Sequence, residues 1–491
     1  MSIADKHNNG RRQFIKTGLT AGALFSIVPP SAVAGLAKGP LPSDQLNIAG
    51  IGVGGMGITN LQHLSSENIV AICDVDQNYA SHAFRTYTQA KQYADYRHMF
   101  DEMKNIDAVV VATPDHTHAV IARAAMQLGY HVYLQAPLAH SVYETRILTE
   151  TARRYEVATQ MGNQGSSDDG INEICESIWS GAIGEVTHVD AWTNSPTWKQ
   201  NLNVPNKKER VPKELNWDLF LGPATNRAYS EQYTPWNWRA WWDFGTGGIG
   251  NMGCHVLDSV FRALKLKYPE AVESSSTGFS LQSSPASEKI TYHFPRRDNL
   301  PKVGFPALTL TWHDGGLLPT RPEALKNHKF DAKGGCIFYG SKGILACGEY
   351  GKNSAVYMKH GELTKSPEKS LRRISNALTG GHEMDWVRAC KENKENRVEA
   401  KSNFEMAGPL SEAVLLGNVA VRLQSIGRRL EWDGENMRFK NITNSDRLSI
   451  SDASAVQMEF GDTKAKTINP YADEMASEWL RHKYRDGWGQ I

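Results

Sequence analysis

No sign of charge dominates this chain: 54 Lys and Arg stand against 53 Asp and Glu in 491 residues. Such a balance gives no electrostatic footprint for nucleic acid or for an acidic partner. Cysteine is sparse, with Cys73, Cys175, Cys254, Cys336, Cys347 and Cys390, and none forms a C-x-x-C pair. Buried thiols are therefore expected, not a disulfide framework. Long apolar runs are also missing. The moderately apolar stretch Gly18 to Val28 is too short and too glycine-rich to span a membrane. No internal repeat is visible.

What is present begins with a leader. Arg11-Arg12-Gln-Phe-Ile-Lys16 precedes the Gly18 to Val28 stretch, and Ala32-Val-Ala34 offers an A-x-A cleavage site before Gly35. The segment is similar to twin-arginine signals, which export proteins already folded. Residues 1–35 are therefore set apart from the fold, and a periplasmic or otherwise exported location is expected. Folding in the cytoplasm also keeps the cysteines reduced.

Next comes Leu46-Asn-Ile-Ala-Gly-Ile-Gly52-Val53-Gly54-Gly55-Met56-Gly57, a dinucleotide-binding fingerprint. Gly52 suits the tight turn after an apolar strand, Gly54 the close approach of backbone to a pyrophosphate, and Gly57 the close packing of the following helix. Phosphates then sit at that helix's N-terminus, where unpaired N–H groups favour negative charge. Ile69-Val-Ala-Ile-Cys73 reads as the next strand. It closes with Asp74, at the distance expected for an acid that holds a ribose diol. An Asp there repels a 2′-phosphate, so NAD is expected in preference to NADP.

From Leu46 to about Met161 strand and helix alternate as in a doubly wound parallel sheet. Asp107 to Thr113 is a continuous apolar strand. His116 to Leu128 has helical periodicity and stops at Gly129, and His131 to Leu134 is a strand. Ser141-Val-Tyr-Glu144 forms a capping box that opens a helix to about Tyr155, and Val157 to Met161 is a further strand. Beyond Gly165, Ile171 to Ser180 reads as a helix, Glu185 to Trp192 as a strand, and 201–214 as a loop. Gly278 to Gln282, Ile290 to His293, Ala307 to Trp312, Cys336 to Tyr339 and Ile344 to Cys347 have strand length and turn spacing. The expected architecture is an α/β Rossmann domain over 45–165 and an α+β domain over 166–435. The second domain carries a large, mainly antiparallel open sheet, buttressed by helices at His382 to Cys390 and Ser411 to Leu430. Residues 436–491 read as a poorly periodic tail on the surface. An exposed sheet face is costly unless covered, which points to a homo-oligomer.

Gly245-Thr-Gly-Gly-Ile-Gly-Asn251-Met-Gly-Cys-His255-Val-Leu-Asp258 is the second informative segment. If a helix begins near Ile249, Asn251, His255 and Asp258 fall at i, i+4 and i+7 and share a face, opposite an apolar stripe of Leu257, Val260, Phe261 and Leu264. Alone, such a face suits solvent or a structural histidine as well as a site. Asp115-His116-Thr-His118 offers either ligands for iron or zinc or a pocket lining with Asp115 as helix N-cap; no third ligand cluster has helpful spacing, and the lining reading is preferred.

The fingerprint with Asp74, the run Ala112-Thr113-Pro114-Asp-His-Thr-His118, Gln135-Ala136-Pro137-Leu138, Met161-Gly-Asn163-Gln164 and Gly248-Ile-Gly-Asn251-Met-Gly-Cys-His255 together resemble the Gfo/Idh/MocA oxidoreductases, over most of 45–435. The resemblance implies a sheet domain that presents a sugar or cyclitol to a nicotinamide in the interdomain cleft. It places Thr113, Pro114, His118 and Gln135 beside the cofactor, puts Asn163 on its carboxamide or ribose, and makes His255 the acid or base on the reacting hydroxyl. Asn251 and Asp258 complete the candidate catalytic set. Two departures stand out. The family usually has Glu-Lys-Pro where this chain has Gln135-Ala136-Pro137, and Asp where it has Asn251.

Outside the cytoplasm oxidised cofactor is not replenished from a pool, so each turnover is expected to restore it. Oxidising a ring hydroxyl to a ketone acidifies the neighbouring C–H and permits elimination of a glycosidic substituent, after which water adds and the ketone is reduced. NAD-dependent glycosidases of this broad family resemble that scheme and also lack the lysine. Two alternatives stay open. One is a sugar or cyclitol dehydrogenase, or a sugar–sugar oxidoreductase; the other is an inactive carbohydrate-binding homologue.

Overall fold

The computed structural model describes residues 44–205, 208–278, 280–327, 329–358, 368–459 and 462–489, without side chains over 451–459 and 462–466. The leader lies outside the described residues. From Leu46 onward the chain forms one compact unit.

Short apolar strands spaced by helices build the first sheet, as the alternation predicts. It comprises β1 (Asn47–Ile51), β2 (Asn68–Cys73), β3 (Lys91–Tyr93), β4 (Ala108–Val111), β5 (His131–Leu134) and β6 (Thr159–Met161), in the order β3-β2-β1-β4-β5-β6. Every pairing is parallel. β4 is buried along its whole length because helices cover both faces. The capping box of Ser141 and Glu144 is formed and opens the helix Val142–Tyr155.

The second sheet has nine strands. They are β7 (Val186–Thr193), β8 (Ala271–Ser276), β9 (Glu288–Phe294), β12 (Leu308–His313), β13 (Gly334–Gly340), β14 (Gly343–Gly348), β15 (Ala355–Met358), β16 (Leu430–Asp433) and β17 (Arg438–Phe439). Between β9 and β12 a small hairpin, β10 (Arg297–Leu300) and β11 (Val303–Phe305), stands apart. The order is β15-β14-β13-β7-β12-β9-β8-β16-β17, and β7 with β12 is the one parallel pairing. One face packs on the buried helix Phe404–Leu423 and on Gly247–Val256. The outer face keeps partly exposed Thr291, His293 and Thr309 in its middle.

Several expectations are corrected. Gly278 and residues 280–282 form no strand; Ser280 instead bonds within its own turn, and the neighbouring strand is β8. The helix expected over Ser411 to Leu430 runs from Phe404 to Leu423, and Leu430 opens β16. The helix at His382 to Cys390, observed as Gly381–Lys391, buttresses the first sheet: Trp386, Val387 and Cys390 pack with Ile48, Val110 and Tyr133. Nor is the C-terminal segment irregular. It forms a strand pair, β18 (Ile450–Glu459) with β19 (Asp462–Ile468), and an amphipathic helix, Ala472–Arg481. All six cysteines are free and buried, as expected. No described helix is long and apolar enough to cross a membrane.

Candidate functional site

The carboxyl ends of β1, β2 and β4 open onto a cleft of about 790 Å³ that extends to the helix Gly247–Val256 of the second domain. Gly52, Gly54, Gly55, Met56 and Asp74 line its nucleotide end. Gly52 holds φ at +78°, which favours glycine. A Cβ on Gly57 would stand 2.0 Å from the Gly52 carbonyl oxygen, so the helix Met56–His63 lies against the loop only because the side chain is absent. Val53 and Gly57 shape the loop from behind and do not line the cleft. A Cβ on Gly54 would meet the Tyr79 ring at 2.3 Å. This cradle fits a dinucleotide pyrophosphate.

Asp74 sits where the ribose would lie. One oxygen accepts from the Val53 and Gly54 amides at 2.8 and 3.0 Å, the other from the Asp76 amide at 2.9 Å. Burial pushes its pKa up to about 6 while these N–H groups pull it down. A carboxylate offers about four acceptor positions, so one remains for a ribose hydroxyl. Tyr96 and, from the C-terminal segment, Trp488 wall the same end; the Arg97 guanidinium stacks on Trp488 at 4.7 Å.

Thr113, Pro114, Gln135 and Ala136 line the middle. Gln135 Nε2 donates to Asn60 Oδ1 at 2.8 Å, which fixes its amide. His118 also borders the cleft, yet its ring nitrogens face the carbonyls of Pro137 and Thr113 at 2.9 and 2.8 Å. The neutral ring donates to one of these carbonyls, and both nitrogens face backbone and not the cofactor. His116 is likewise placed between Phe244 and Phe220 carbonyls, so the metal reading of this run fails. Asn163 is another correction: it is buried, off the cleft, and its Nδ2 donates to the Cys254 carbonyl at 3.1 Å. It positions the helix that carries His255.

Asn251 and His255 lie one turn apart on Gly247–Val256 and both face the cleft. Asp258 does not join them. The helix breaks at Leu257, and Asp258 starts a second one, where it pairs with Arg262 at 2.9 Å. Arg262 in turn bonds Ser166 and the Lys401 carbonyl, so Asp258 belongs to the interdomain brace. The His255 ring packs against Tyr350, and its Nδ1 is buried with no partner among the described residues. Burial lowers its pKa to about 4, so the ring is neutral near pH 7.

Three cleft residues were not singled out from the sequence as catalytic. Asp115 is not an N-cap, since Pro114 takes that position; it lines the cleft, and its carboxylate accepts from Thr246 Oγ at 2.6 Å. Burial pushes its pKa up to about 7. Arg239 donates to Asn251 Oδ1 at 3.1 Å and lies over Trp236 and Trp238 at 3.9 and 4.2 Å. The aromatic run Trp236-Asn-Trp-Arg239-Ala-Trp-Trp242 was the available signal. Tyr350 holds φ at +61°, a strained conformation for a bulky residue and invisible in sequence.

Two family descriptions match: "Oxidoreductase family, NAD-binding Rossmann fold" over 46–163 and "Oxidoreductase family, C-terminal alpha/beta domain" over 176–294. A glycosyl hydrolase family 109 protein of Shewanella pealeana is 29% identical over 205 residues, which cover 37% of this chain and 45% of that one. An inositol 2-dehydrogenase of Salmonella typhimurium is 28% identical over 141 residues, covering 28% and 42%. The chain thus spans less than half the length of these curated relatives. The Bordetella pertussis WlbA dehydrogenase, solved with NADH and UDP-GlcNAcA, shares the fold at 16% identity and a TM-score of 0.52, over 79% of this chain and 99% of that one. Residues 46–163 match the NAD-binding Rossmann domain of the Gfo/Idh/MocA oxidoreductase family, and residues 176–294 match its C-terminal alpha/beta domain.

Proposed function

We propose that the chain is an exported enzyme that holds NAD tightly and cleaves a glycoside by oxidation and elimination, restoring the cofactor in each turnover. One observation carries this reading: a single cleft joins the nucleotide loop to two proton-transfer groups of unequal pKa, His255 and Asp115, with Ala136 where the family usually has lysine. The Shewanella relative, named a glycosyl hydrolase, supports it.

A bound nicotinamide supplies hydride acceptance and return. Neutral His255 accepts the proton of the hydroxyl being oxidised. Asp115, whose pKa lies near the working pH, exchanges the proton of the elimination and water-addition steps. Arg239 orients the Asn251 amide toward the sugar, and Trp236, half exposed at 50%, offers an aromatic face to its ring. Trp488 and Tyr96 close over the nucleotide end and slow cofactor loss. Export follows from the Arg11-Arg12 leader, and a second copy of the chain covers the outer face of the large sheet.

The test is purified protein on a nitrophenyl glycoside panel. Aglycone release without net NADH supports the proposal. Steady NADH accumulation favours the alternative, a sugar or cyclitol dehydrogenase, for which the Salmonella relative speaks. Sugar binding without turnover identifies an inactive homologue.

A further inference from the structure

Away from the cleft, three side chains from separate parts of the chain converge. His140 and Glu144 frame the start of the helix Val142–Tyr155, and His482 follows the helix Ala472–Arg481; one donor atom from each lies within 4.8 Å of the others. We propose that His140, Glu144 and His482 bind a divalent transition metal, zinc by the chemistry of its donors, which fastens the C-terminal segment to the first domain.

The tautomer of His140 is set by its surroundings. Its Nε2 lies 3.2 Å from the Gly245 carbonyl, which accepts and so requires the N–H there. Nδ1 is left with a lone pair, buried and without a partner among the described residues; Nδ1 of His482 is also buried without a partner among them. The two rings are 4.7 Å apart. Two orphaned imidazole nitrogens beside a buried carboxylate are unfavourable in a protein interior unless a cation joins them.

The surrounding shell matches that of a metal site. A ligating histidine usually donates its other N–H to a carbonyl, as His140 does, and a ligating carboxylate is itself hydrogen-bonded. Glu144 accepts from the His140 and Ser141 amides at 3.1 and 2.8 Å, and from the Tyr484 hydroxyl at 2.5 Å. His482 holds φ at +56°, a conformation costing about 1–3 kcal/mol unless its surroundings fix it. Two imidazoles and one carboxylate suit zinc and leave a fourth position for water. Tetrahedral bonds of ~2.0–2.1 Å require the donors to close by roughly 1 Å. Arg422, stacked on Trp479 at 3.9 Å, opposes a cation at both rings, while Asp243 favours one at His482. The metal fastens the segment that delivers Trp488 to the cleft.

The full-length protein is loaded with zinc, desalted and analysed by elemental mass spectrometry. About one zinc per chain is expected. His140→Ala and His482→Ala should each lower it more than tenfold while the far-UV circular dichroism of the folded protein is kept, and His482→Cys should restore at least half. A zinc-loaded parent without bound metal overturns the proposal, as does a His482→Ala protein that keeps the parent's content. If the alanine variants do not fold, cobalt in His482→Cys decides: a thiolate-to-cobalt charge-transfer band supports ligation at this position, and its absence refutes it.

Discussion

Substituting Gly57 by Ala separates what the loop does for the fold from what it does for the cofactor. The new Cβ would lie 2.0 Å from the Gly52 carbonyl oxygen, 3.0 Å from its carbon and 3.3 Å from Ala112 Cβ. Ordinary contact requires the helix Met56–His63 to retreat by roughly 1 Å, and overpacking of that kind costs about 1–3 kcal/mol. For a unit of about 450 residues this lowers Tm by roughly 1–3 °C. The same retreat draws the helix amides away from the pyrophosphate. Losing one hydrogen bond to a charged group costs about 1.5–3 kcal/mol, so Kd for NAD should rise roughly 10- to 150-fold. Gly54→Ala is the matched comparison, because the three atoms nearest its Cβ all belong to the ring of Tyr79, a side chain 38% exposed, and none to backbone. That variant should keep the parent's Tm and still lose affinity. Thermal melts and calorimetric titration of cofactor-stripped protein measure both. A Gly57→Ala protein with the parent's Tm and Kd would refute this account of the loop.

His255→Ala should reduce turnover at least 10²-fold while NAD stays bound, since its role is proton transfer at the substrate; steady-state rates and cofactor content check this. Asp74→Ala should weaken NAD by about 1.5–3 kcal/mol for each lost bond, measured by titration. Asp115 carries a pH signature. Burial raises its pKa from 3.8 to about 7, so its contribution to stability is complete below about pH 4 and is lost as pH rises through 7. Asp115→Asn should flatten the fall of Tm across that window and remove the ionisation near pH 7 from kcat/KM; an unchanged profile contradicts the assignment.

The nucleotide end was legible because its constraints are local: a positive φ at Gly52 and the space at Gly57 depend on a few consecutive residues. Asn251 and His255 were legible for a similar reason, being one turn apart on one helix. Extending that face by another turn to Asp258 failed because the helix breaks at Leu257, and periodicity carries no sign of the break. Periodicity also says that the helix at His382 buries a face, but not which sheet receives it; Trp386 goes to the first. Asn163 and His118 are polar residues in the expected motifs, yet both hydrogen-bond to backbone and hold the site in shape. Trp488 is furthest from the motifs. Its place in the cleft depends on the helix Ala472–Arg481, whose Ala472, Ala476, Trp479 and Leu480 form a buried stripe among charged neighbours.

Retention of NAD through turnover is the claim on which the proposed chemistry depends. Protein purified without added cofactor, denatured and analysed by mass spectrometry, should release close to one nicotinamide dinucleotide per chain, and that amount should be unchanged after many turnovers with a glycoside substrate. Protein that arrives without cofactor and requires NAD to be supplied in proportion to product would contradict the account.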